Sequence, residues 1–88
     1  METKQAYQEG IEAKIKQLKG EIDRIRAEAE GGQTAVIEEL EEKSAEVKHR
    51  LEELKAAKVT AWRDLKPAVD SALYELENAI KRAGPQEN

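Results

Sequence analysis

Four consecutive residues, Glu46-Val47-Lys48-His49, hold the sharpest chemical signal in the chain. A Glu-x-x-His stretch sets a carboxylate and an imidazole one helical turn apart, and di-iron helix bundles carry that motif twice, projecting inward. The surrounding spacing speaks against a metal here. Val47 and Leu51 fall on an apolar seam, which turns Glu46 and His49 towards solvent, and His49 is the sole histidine. A single chain therefore cannot supply the second copy, and a solvated histidine is the expected reading.

Other constellations are weaker. Glu38-Glu39 and Glu41-Glu42 crowd carboxylates together, but a calcium loop needs oxygen ligands alternating around a glycine. Acidic residues near the start of a helix are favoured by its dipole. Ser44 and Ser71 are the only serines, and neither sits in a strand-turn-helix elbow beside a base. Gly31-Gly32 lacks the Gly-Lys-Ser/Thr ending of a phosphate loop. Cysteine is absent, which removes thiolate and disulfide chemistry. We expect no catalytic residue, no cofactor-binding residue and no metal ligand, and so no enzyme.

Charge restricts the partners. The net charge of −4 is spread evenly along the 88 residues. No basic patch displaces counterions from nucleic acid, and none draws the chain to an anionic membrane. Neither a signal peptide nor a run of about 18 apolar residues is visible, so a cytoplasmic location is expected. Charged residues make up 39% of the chain and aromatics 3%, the profile of long helices and coiled coils rather than of a wide globular core.

Long helices must position these side chains. Ile11, Ile15, Leu18, Ile22, Ile25 and Ala29 follow at spacings of four and three, a heptad seam that predicts a helix over 2–30. Gly10 and Gly20 fall on its outer face. Ile37, Leu40, Ser44, Val47, Leu51, Leu54, Lys58 and Ala61 continue the rhythm, with polar Ser44 and Lys58 at a positions. Between the two seams, residues 31–34 contain adjacent glycines suited to a reversal, with Thr34 as the cap of the next helix. The result is an antiparallel hairpin. Charge pairing leaves its register open: one choice sets Glu12 against Lys48 and Lys19 against Glu41, and a slip of one heptad scores equally well.

After Lys58 the apolar phase shifts to Trp62, Leu65, Val69, Leu73, Leu76 and Ile80. The second helix is expected to run over 35–83 with a kink or break near 64–67, where Pro67 is the one breaker and Asp64 could cap a new start. Gly84-Pro85 ends it, leaving a frayed tail at 84–88. One two-helix seam buries too little to offset backbone ordering. Trp62, Leu65, Val69, Leu73, Leu76 and Ile80 must therefore be covered, and they form the expected interface of a dimeric helix bundle. The alternative is a monomeric three-helix bundle closed by the chain itself. Either way the fold is all-α and the chain a single domain.

At Ala61-Trp62-Arg63-Asp64-Leu65-Lys66, and on through Val69-Asp70, Ala72 and Glu75-Leu76, the chain resembles a group of small bacterial coiled-coil proteins, some described as stress-associated or apolipoprotein-like. The resemblance covers most of the chain and is specific in its last third. It implies a charged helical hairpin and carries no reaction, substrate or partner, while Pro67 departs from the uninterrupted helix of that group. The leading expectation is a structural or interaction protein, a spacer or adaptor that forms a homo-dimer through residues 62–80 and meets a further protein partner. The alternative is a reversible binder of lipid or hydrophobic clients.

Overall fold

The computed structural model describes residues 3–28 and 34–83, which form three helices and, among the described residues, no strand. Helix α1 spans Lys4–Glu28, α2 spans Thr34–Ala56 and α3 spans Trp62–Ala83. The expected reversal at Gly31-Gly32-Gln33, the side chain of Thr34 and the tail at 84–88 lie outside the described residues.

α1 starts where Thr3 stops it from starting earlier. The Thr3 hydroxyl accepts a hydrogen bond from the Ala6 N–H at 3.1 Å, the reach of an N-cap to the third helical residue. Ile11, Ile15, Leu18, Ile22 and Ile25 are all buried, and Tyr7 extends their stripe by one turn. Open space surrounds Gly10 and Gly20, in keeping with their outward positions.

α2 buries Ile37, Leu40, Ser44, Val47, Leu51 and Leu54. There the seam stops. Lys58, assigned to its next core position, is exposed, because the helix ends at Ala56 and the chain turns over residues 57–61. The break thus falls ahead of the expected 64–67, and it is made without glycine. Lys58 O accepts the Ala61 N–H at 2.8 Å and the Trp62 N–H at 3.2 Å, and Ala61 O accepts from Asp64 at 3.1 Å. The last carbonyls of a helix lack intrahelical donors. Here the Lys4 ammonium from α1 supplies one, at 2.8 Å from Lys55 O and 2.7 Å from Ala57 O.

α3 begins at Trp62 rather than at a cap on Asp64, which sits in its first turn. Pro67 lies inside the helix. It deprives the Arg63 carbonyl of its usual partner four residues on, but Arg63 belongs to the first turn and the ring faces solvent, so a single bond is lost and the helix continues. Trp62, Val69, Ala72, Leu73, Leu76, Ala79 and Ile80 are buried in one core cluster with the stripes of α1 and α2, and Leu65 packs against it half-buried. The six residues expected at a subunit interface are therefore covered by the chain's own helices, as in the three-helix alternative. The early break is the reason: it returns α3 onto the open side of the α1–α2 pair.

The bundle measures 46 × 22 × 17 Å, with a radius of gyration of 14.5 Å. A rounded domain of this length would have a radius near 12 Å, so the molecule is a short rod. No helix among the described residues is long and apolar enough to cross a membrane.

Candidate functional site

Among the described residues, polar groups come together at one end of the rod and in two grooves that flank α2. At the end, Tyr7 of α1 packs against Trp62 of α3 with ring centroids 5.7 Å apart and planes tilted by 34°. The Tyr7 hydroxyl donates to Asp70, with Lys66 O 3.4 Å away. Cations close the cluster from outside, Lys66 5.2 Å from the Tyr7 ring centre and Arg63 5.6 Å from that of Trp62. Trp62 and Tyr7 are 4% and 7% exposed, so neither ring is open to a ligand. This arrangement, with Lys4 beside it, fastens the start of α3 and the end of α2 to α1.

Along the α1–α2 contact, Glu12 meets Lys55 at 3.3 Å, Arg26 meets Glu41, and Lys19 meets Lys48. The numbers of each pair add to 67, which is the slipped register and not the one pairing Glu12 with Lys48. Hydrophobic burial decides between them. A sum near 67 sets Ile11 level with Leu54, Ile15 with Leu51, Leu18 with Val47 and Ile25 with Leu40, so the apolar stretches of both helices overlap fully. The other register would leave Leu51 and Leu54 without isoleucines opposite. Burying such side chains is worth about 1.5–3 kcal/mol each, against about 0.3–0.5 kcal/mol for an exposed ion pair.

One like-charged contact is the residue of that choice. Lys48 is held below the ordinary lysine value, first by hydrogen bonding with the Lys19 amine and then by repulsion from its charge. Lys55, by contrast, is raised by its bond to Glu12 and then by Glu52, and Arg50 by its bonds to Glu53 and Glu46. Lys19 and Lys48 line a groove of about 290 Å³ together with Asp23, Arg26 and Glu41 and with Ile22, Ser44 and Ala45. Ser44 is the buried polar residue of the core, 7% exposed. No buried side-chain polar atom among the described residues lacks a hydrogen-bond partner.

On the other side of α2, a shallower groove of about 520 Å³ runs beside Ala68, Ser71 and Ala72 of α3. Most of its charged residues have partners: Lys43 with Glu75 at 3.7 Å, Arg50 with Glu46 at 2.7 Å, and Glu39 with Arg82, outside the lining, at 4.0 Å. Lys14 of α1 likewise reaches Glu77 of α3 at 3.5 Å. Lys14 and Lys43 share the edge of the α1–α2 pair that α3 covers, and Glu77 and Glu75, on either side of Leu76 in α3, receive them.

His49 is exposed, 3.7 Å from the Glu53 carboxylate, while Glu46 is taken by Arg50. The two halves of the Glu-x-x-His stretch thus have separate partners on α2. Among the described residues no group of three or more metal-binding side chains converges. Val59 in the turn and Tyr74 on the outer face of α3 are large apolar residues left exposed. Sequence reasoning passed over Lys4, Tyr7 and the facing lysines. Tyr7 carried a faint signal, lying one turn before Ile11 but out of step with the three-four alternation.

No family model matches this chain, and comparison with curated proteins and with solved structures finds no significant match to either.

Proposed function

We propose that the chain is a non-enzymatic structural or interaction module, a spacer or adaptor built as an antiparallel coiled-coil pair, α1 and α2, closed by α3. One observation carries this reading: the apolar stripes of all three helices meet in a single core, leaving a rod whose outer faces are charged. Such a body offers length and side-chain pattern rather than an enclosed pocket. The rod is self-sufficient as a monomer, and a homo-dimer through residues 62–80 would first require α3 to leave its place. Light scattering coupled to size exclusion tests this. The expected mass is that of one 9.9 kDa chain with an elongated scattering profile, and a stable dimer at micromolar concentration would overturn it.

A second reading, a reversible binder of lipid or hydrophobic clients, is supported by α3 itself. Its seven buried residues form one continuous apolar face on a 22-residue helix, joined to the rest by a turn of five residues. Swinging out on that turn would bare the face, with Trp62 at its hinge end. Zwitterionic vesicles that leave Trp62 fluorescence unmoved would remove this reading.

A further inference from the structure

The facing lysines differ from every other contact along the α1–α2 edge. One heptad to either side, Glu12–Lys55 and Arg26–Glu41 are matched in charge. Lys19 and Lys48 are not, and the carboxylates one turn beyond them on their own helices have other partners. Asp23, one turn beyond Lys19, accepts from Arg26 at 3.1 Å, and Glu52, one turn beyond Lys48, lies 3.4 Å from Lys55. Two positive charges are left together in the lining of a groove that also holds Ile22, Ser44 and Ala45.

We infer that this groove binds a small dianionic oxyanion of the phosphate class, held between the Lys19 and Lys48 ammonium groups. The two ammonium groups would meet a phosphate that carries close to two negative charges above about pH 7, while the groove's carboxylates, Asp23 and Glu41, are both engaged by Arg26. Charge-assisted bonds to both lysines replace their mutual repulsion with attraction, which no ion pair among the described residues does at this position. The lowered proton affinity of Lys48 reports the same uncompensated field. The groove also sets the size of its occupant. At about 290 Å³ it takes a phosphate or a small phosphate ester.

The test titrates inorganic phosphate into the full chain near pH 8, with chloride adjusted to hold ionic strength constant, and follows backbone amide shifts. The expected result is saturable movement centred on residues 19, 44 and 48 with a millimolar dissociation constant, and a melting temperature that rises with occupancy. Lys48→Gln and Lys19→Gln should each weaken binding about tenfold, the loss of one charge-assisted bond. Lys16→Gln, an equal change of charge at an exposed position of α1, should leave it unaltered. Circular dichroism of each variant confirms that the bundle is intact. Shifts that grow linearly without saturating, or that fall equally in the Lys16 and Lys48 variants, overturn the assignment. A further arm presents phosphatidic acid in phosphatidylcholine vesicles at the same phosphate concentration. Binding to those vesicles in the absence of binding to free phosphate overturns the assignment too, in favour of a lipid headgroup.

Discussion

Lys19 of α1 and Lys48 of α2 face each other across the helix pair, close enough that one lowers the proton affinity of the other. The contact follows from a register chosen by leucines and isoleucines, and it marks the place where surface charge and core packing disagree. Lys48→Glu should therefore stabilise the bundle, because it converts a like pair into an opposite one without touching the core. The expected rise in melting temperature is about 1–3 °C at low salt, vanishing above about 1 M salt, as read by circular dichroism.

The same pair sets a dependence on pH. Below its lowered folded value Lys48 is protonated in both states, and the repulsion counts fully against the fold. As pH rises through that value towards 10.5, the folded chain releases its proton first and the penalty fades. Lys55 behaves oppositely. Its folded value is raised, so its contribution is present below 10.5 and is lost as pH climbs through the higher folded value. Urea midpoints taken near pH 8 and near pH 10 should thus rise in the native chain relative to Lys48→Gln. A native-minus-variant difference that does not change with pH would contradict the assignment.

Lys4 caps a helix to which it does not belong. Replacing it with Met keeps the stem but strips the donors from Lys55 O and Ala57 O, at about 1–2 kcal/mol, or roughly 4–10 °C in melting temperature. Hydrogen exchange should quicken first at the amides of residues 57–62.

Leu76 has no exposed surface and Val69 none, so α3 is integral to the core. Leu76→Ala should lose about 2–5 kcal/mol, much of the stability of a domain this small. Ending the chain after Thr60 should leave a hairpin that melts without cooperativity or associates. A truncated chain that stays folded and monomeric would show that α3 is dispensable.

Pro67 is exposed and inside a helix. Pro67→Ala restores the bond to Arg63 O and should add about 1–2 kcal/mol, a gain reduced by the greater freedom of the unfolded chain. Guanidinium unfolding of the two proteins measures it.

The helices themselves were legible from spacing. Ile11 through Ile25 and Ile37 through Leu54 read as seams and are buried as such, and the phase shift at Trp62 announced a third stripe. The break at 57–61 was not legible, because no glycine or proline marks it. Its chemistry comes from Lys4, a donor 51 and 53 positions away in sequence, and no local pattern reports such a partner. Pro67 drew attention instead, although its place near the start of α3 makes it nearly harmless. The register was beyond reach for a different reason. Ion pairs alone give two answers of similar merit, and only the overlap of the apolar stretches separates them. The facing lysines went unseen with it.

The contacts that fasten the end of the rod span most of the chain: Lys4 waits for Lys55 and Ala57, and Tyr7 for Asp70, 63 residues later. During synthesis Lys4 and Tyr7 thus emerge well before the residues they will bond. Until the third helix emerges, the isoleucine stripe of the first has half a neighbour, and a chaperone that recognises apolar helices would meet it in that interval.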